Sequence, residues 1–194
     1  MAKITGNEIL AKALKNEGTK DLFYIMGGPM QHAETACKNE GIRMIDVRHE
    51  QAAALSAQAY ARLKQQPAVC MAASGPGVIN LTTGIANALI DCAPVVAVGG
   101  SSPIHQFGRQ TFQEIDQVAI MRGCTKWTQQ IIDVRRIPEM VNTAFQKAMG
   151  GKPGPIPSGA VDSIDVVRRL VEDDIYWKQG IWTALEVYPW VQAF

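Results

Sequence analysis

The sequence predicts an α/β fold in which a parallel sheet is covered by helices on both faces. Three observations predict it. Short, mainly apolar runs recur at 22–26, 43–47, 68–73 and 94–98, and strands buried on both faces read this way. Three of these runs close on glycine-rich turns. Between the runs lie longer segments with helical periodicity, and strand–helix alternation of this kind implies parallel pairing.

The elements follow in order. Thr5-x-x-Glu8 is a capping box, which satisfies two orphan backbone donors at a helix start. Ile9, Leu10, Ala13 and Leu14 supply the apolar face of that helix, and Gly18 stops it. The run 22–26 is too short for a core helix and rich in aromatic and branched residues, so it is a buried strand ended by Gly27-Gly28-Pro29. A helix over 31–39 precedes a strand over 43–47, and a second helix spans about 49–63. The strand at 68–73 meets Ser74-Gly75-Pro76-Gly77 and a long helix reaching about Asp91. A strand over 94–98 closes on Gly99-Gly100-Ser101-Ser102, and an amphipathic helix over 138–149 completes the regular pattern.

From Gly150 the character changes. Gly150-Gly151-Lys152-Pro153-Gly154-Pro155 is turn chemistry, and Pro157-Ser158-Gly159 interrupts what should follow as a strand. A short helix is expected over 164–171. Trp177, Trp182 and Trp190 follow without a clear period.

With 194 residues, 47% of them hydrophobic, the chain can build one ordinary core with some additional chain. A net charge of +1 provides no electrostatic reason for nucleic acid or an anionic membrane as partner. The apolar stretches are interrupted well short of a membrane span. No signal-peptide core precedes the first helix. Cys37, Cys70, Cys92 and Cys124 form no Cys-x-x-Cys pair, and buried reduced thiols in a cytoplasmic protein are the expectation. His32, His49 and His105 have no partners at ligand spacing, so no metal is expected to be held by this chain alone.

Three features could carry chemistry. Glu50, in Arg48-His49-Glu50-Gln51-Ala52-Ala53-Ala54, falls in the first turn of a helix after a buried strand. That is the carboxyl end of a parallel sheet, where ligands bind. Small apolar neighbours favour a neutral acid suited to proton shuttling. On pattern alone the plainer reading prevails, a helix-start carboxylate that complements the dipole. Ser74-Gly75-Pro76-Gly77-Val78-Ile79-Asn80 offers close backbone approach and unpaired N–H groups, yet is neither a P-loop nor a dinucleotide fingerprint. Gly27-Gly28-Pro29, Gly99-Gly100-Ser101-Ser102 and Phe112-Gln113-Glu114 would gather at the same edge and frame a cleft.

In order and spacing these motifs resemble the N-terminal pyrimidine-binding domain of thiamine-diphosphate enzymes. The group is that of acetolactate synthases, oxalyl-CoA decarboxylases and 2-hydroxyacyl-CoA lyases. Ala59-Tyr60-Ala61-Arg62, Gly84-x-Ala86-Asn87-Ala88, Thr125-Lys126 and Gly151-Lys152-Pro153-Gly154-Pro155 continue the series, so the resemblance covers about 5–155. It implies that Glu50 is the catalytic acid that hydrogen-bonds N1′ of the cofactor's aminopyrimidine and favours its imino tautomer. It further implies that Gly27, Gly28, Pro29, Ser74, Gly75, Pro76, Gly77 and Asn80 bind the cofactor, with Phe112 and Gln113 on the substrate side. The reaction implied makes or breaks a carbon–carbon bond beside a carbonyl, in 2-oxo acids or 2-hydroxyacyl-CoA substrates. Asp91-Cys92-Ala93-Pro94 with the turn 99–102 looks closer to the CoA branch.

The family's diphosphate domain carries a Gly-Asp-Gly motif and binds magnesium. No Gly-Asp-Gly occurs in this sequence. The expectation is therefore a pyrimidine domain over 1–155 that is inactive alone, with Mg2+ and diphosphate held by a partner domain. The tail 156–194 is expected to be atypical, truncated or frame-shifted. A homodimer, or a complex with a diphosphate-binding domain, is the expected assembly. A non-catalytic association module and a Rossmann-type nucleotide-binding module are the alternatives.

Overall fold

The computed structural model describes residues 4–150. The expected helix at 164–171 and the tail from 156 lie outside the described residues. The elements are α1 (Gly6–Asn16), β1 (Asp21–Tyr24), α2 (Gln31–Asn39), β2 (Arg43–Asp46), α3 (Glu50–Lys64), β3 (Ala68–Ala72), α4 (Pro76–Ile90), β4 (Val95–Gly99), α5 (Gln117–Arg122) and α6 (Ile137–Met149). All strand pairs are parallel, in the order β2-β1-β3-β4. The predicted fold class is the one observed.

The Thr5 box forms as the sequence predicts. The Thr5 backbone N–H donates to Glu8 Oε2 at 2.7 Å, and the Glu8 N–H donates to Thr5 Oγ1 at 3.3 Å. Gly18, at φ +84°, turns the chain into β1 after α1. Alternation along each strand then divides the core in two. Leu22, Val69, Met71 and Val96 face α1, α2 and α6. Phe23, Cys70, Ala72, Val95 and Ala97 face α3, α4 and α5. Each fully buried Leu, Ile, Val or Met here stabilises the fold by roughly 1.5–3 kcal/mol. The second face is alanine-rich (Ala53, Ala54, Ala57 and Ala61 are all solvent-free), so α3 and α4 pack close to the sheet and to one another.

Most bounds agree with expectation to within a residue, and two differences are larger. β1 stops at Tyr24 rather than residue 26, because Tyr24 is the last residue paired to β2 and β3. Ile25 and Met26 leave the ladder, and Met26 is 67% exposed. α5 was not anticipated. Its start carries a legible signal, since the Asp116 carboxylate caps it by accepting from the Ala119 N–H at 2.9 Å.

The strand order positions the site. From β1 the chain moves through α2 to β2 on one side, and from β3 it moves through α4 to β4 on the other. The carboxyl ends of β1 and β3 are therefore a topological switch point, where the following loops diverge and leave a crevice.

Candidate cofactor-binding site

The loops from the two diverging strands meet in that crevice. A Cβ built on Gly27, after β1, would lie 2.4 Å from Ala73 Cβ, after β3, so only glycine allows this approach. Gly28 opens onto free space. Pro29 is the second residue of a short 3-10 turn over Gly28–Met30 and is exposed. On the β3 side Ser74 is buried, and Gly75 adopts φ +60°, ψ −113°, a conformation that disfavours any side chain. Pro76 then opens α4 at a position whose missing N–H costs nothing.

α3 delivers Glu50 to the same edge. His49 caps the helix, its Nδ1 accepting from the Gln51 N–H at 3.1 Å, which fixes Glu50 in the first turn. The Glu50 carboxylate is half-buried and lies against the start of α4. A Cβ on Gly77 would stand 3.3 Å from Glu50 Oε1, with the Ala72 and Ala73 methyls behind it. Asn80 Nδ2 donates to Glu50 Oε2 at 3.0 Å. One carboxylate oxygen is thus engaged by an amide and the other faces a bare glycine.

The chain between β4 and α5 straps the glycine turn. Glu114 folds it, accepting from the Gly108 N–H at 2.6 Å and the Thr111 N–H at 3.0 Å, and these backbone donors hold its carboxyl below the ordinary range. The Gln113 carbonyl then sits where a Gly75 Cβ would come within 2.3 Å, and Ser74 Oγ donates to Gln113 Oε1 at 3.4 Å. Phe112 is 76% exposed beside it. The structure therefore brings Gly27, Ser74, Gly75, Gly77, Asn80, Gln113 and Glu50 together. Pro29 instead lines a neighbouring groove of about 780 Å³ with Gly100, Glu114, Gln117 and the apolar side chains of Leu10 and Ile137. Glu50 and Asn80 do not line that groove.

Two residues escaped the sequence reading. Gln117 bridges the two loops, accepting from the Gly75 N–H at 3.0 Å and donating to the Gly100 carbonyl at 2.6 Å. Its partners lie 42 and 17 residues away, which no local pattern reveals. Glu34 is buried within α2, with Oε1 unpaired. Burial pushes its carboxyl up; the Gly27 N–H opposes this and the Asp46 charge reinforces it. A signal existed here, because Met30, Ala33 and Cys37 define a buried stripe that includes position 34. Among the described residues no group of three or more His, Cys, Asp or Glu is placed to hold a metal, and no helix is long and apolar enough to cross a membrane.

An open parallel sheet with an acid and a glycine turn at its switch point defines a ligand-binding α/β domain. Comparison with known proteins narrows the class. The family described as thiamine pyrophosphate enzyme, N-terminal TPP binding domain, matches residues 4–120, and the chain belongs to it. Similar proteins include acetolactate synthase 1, chloroplastic, of Nicotiana tabacum, 41% identical over 175 residues, which are 90% of this chain and 26% of the relative. The probable acetolactate synthase large subunit of Methanocaldococcus jannaschii is 42% identical over 151 residues, 78% of this chain and 26% of the relative. The mitochondrial acetolactate synthase of Schizosaccharomyces pombe is 39% identical over 153 residues, 78% of this chain and 23% of the relative. The chain spans about a quarter of the length of these curated relatives.

Proposed function

We propose that this chain binds the aminopyrimidine end of thiamine diphosphate in the crevice between β1 and β3, with Glu50 as the acid that exchanges a proton with N1′. The family implies this cofactor, and the residues fit it. Glu50 provides a carboxyl with one oxygen beside Gly77, which adds no side chain, and Gly28 leaves space around the crevice. The carrying observation is that single arrangement of Glu50, Gly77 and Asn80. When bound, the cofactor supplies the means to make or break a carbon–carbon bond beside a carbonyl. The chain's own residues orient the ring: the glycine turns admit it, Glu50 holds and moves a proton at N1′, and the strap carrying Phe112 and Gln113 borders the substrate side.

The diphosphate and Mg2+ are held by a partner domain, and the chain is inactive without it. Exposed Leu63 and Ile90, 83% and 77% accessible near the ends of α3 and α4, accord with association through these helices, whether with a second copy or with that domain. The four free thiols, three of them buried, accord with a reducing cytoplasm. Relatives named acetolactate synthase favour 2-oxo acids as the substrate class. The 2-hydroxyacyl-CoA reading rests on the segment 91–94 with the turn 99–102. In the structure Asp91 is engaged by Gln58 and Arg62 rather than by the crevice, which weakens that segment as a substrate marker.

The test is an amide chemical-shift titration of the full chain with thiamine at millimolar concentration. Shifts concentrated at Glu50, Gly75 and Gly77, and weakened but still measurable in Glu50→Gln, are expected. Tight dinucleotide binding at the same edge would instead establish the nucleotide module. Dimerisation with no thiamine response would establish the association module.

A further inference from the structure

The two helices that build the crevice are joined by a regular seam. Both start at the carboxyl edge of the sheet and run the same way, and their contacts advance together. Glu50 meets Asn80, Ala54 meets Gly84, Gln58 meets Asn87, and Arg62 meets Asp91. On α3 the steps are four residues each; on α4 they are four, three and four, which are the spacings of one helical face. Lower in the seam, Asn87 Nδ2 donates to Gln58 Oε1 at 2.8 Å. The Gln58 amide is satisfied on its other side by Asp91, which also accepts from Arg62 Nη1 at 3.2 Å. The Asn80 amide is therefore the top rung of a structural ladder, with its Nδ2 directed at Glu50 of α3.

From this geometry we infer that Asn80 is a positioning residue for Glu50 and not itself a contact to the cofactor. Its Nδ2 donates to Oε2 at 3.0 Å. An N–H group pointed at a carboxyl oxygen makes that oxygen the less basic of the two, so the acid proton favours Oε1. Oε1 is the oxygen beside Gly77, and that amide does not engage it. Asn80 thus selects which oxygen exchanges the proton and fixes the rotation of the carboxyl plane. The inference rests on the proposed role of Glu50 and adds the residue that orients it.

A thermodynamic cycle on the full chain tests this, with thiamine as probe and chemical-shift titration as readout. The variants are Asn80→Ala, Glu50→Gln and the double variant. Asn80→Ala is expected to weaken thiamine binding roughly three- to tenfold, the scale of one hydrogen bond to an ionisable group. In the Glu50→Gln background it should have almost no further effect, because residues acting through one another are not additive. An equal loss in both backgrounds would overturn the inference and make Asn80 a direct contact. A normal response to Glu50→Gln would overturn the proposed role of Glu50, and the inference with it. A second measurement needs no ligand: the Asn80 side-chain amide resonances should move in Glu50→Gln. Unmoved resonances would show that the pair does not form, and would refute the positioning role.

Discussion

Gly84→Ala probes how closely the α3–α4 seam is set. A Cβ at this position would lie 2.6 Å from Ala54 Cβ, 2.9 Å from the Leu55 backbone N and 3.1 Å from the Ala54 carbonyl carbon. Carbon atoms rest at about 3.5–4.0 Å, so the helices must part by about 1 Å. Two of the three obstructing atoms are backbone and cannot swing aside. The strain therefore lies near the upper end of the usual overpacking range, at about 3 kcal/mol. Alanine in place of a mid-helix glycine returns about 1 kcal/mol through helix propensity. The net loss is about 2 kcal/mol. In urea this lowers the unfolding midpoint by about 1 M, taking a slope of about 2 kcal/mol/M. The same displacement acts one helical turn below Glu50 and Asn80, so thiamine binding should weaken with stability. A midpoint equal to or above wild type would refute the reasoning, since helix propensity would then outweigh a contact that does not resist separation.

Two further outcomes follow from the site. Glu34 carries a proton in the folded protein at pH values where the unfolded chain has released it, so folding stability from this group falls as pH rises above the ordinary carboxyl range. Glu34→Gln cannot titrate, and its stability relative to wild type should improve as pH rises from about 4, near the ordinary carboxyl pKa, to about 7 in denaturant titrations; a difference independent of pH would rule this out. Gln117→Ala removes both bonds between the strap and the glycine turn. It should cost about 1–2 kcal/mol and speed hydrogen exchange at the Gly75 amide, and unchanged protection there would show that the bridge does not hold the turn.

The local grammar of this chain was legible without tertiary structure. The Thr5 box, the glycine stop at Gly18, the four strands and the helices α1 to α4 and α6 all follow from short-range signals: backbone donors at helix ends, conformational freedom at glycine, and the period of apolar residues. Ordered motifs also gathered the site residues into one reading, because Glu50 and the turn 74–77 each follow a strand. The sequence could not decide what those strands do next to one another. The order β2-β1-β3-β4 places the ends of β1 and β3 side by side, and this creates the crevice and sets Gly27 against Ala73. The functions of Gln117, Glu34 and Asn80 likewise depend on partners that are remote in sequence or on another element. Asn80 shows the division most clearly. Its motif marked it as a residue of the site, and only the packing of two parallel helices turned its amide toward Glu50, because close approach at Gly84 and Ala54 fixes which side chains can meet across the seam.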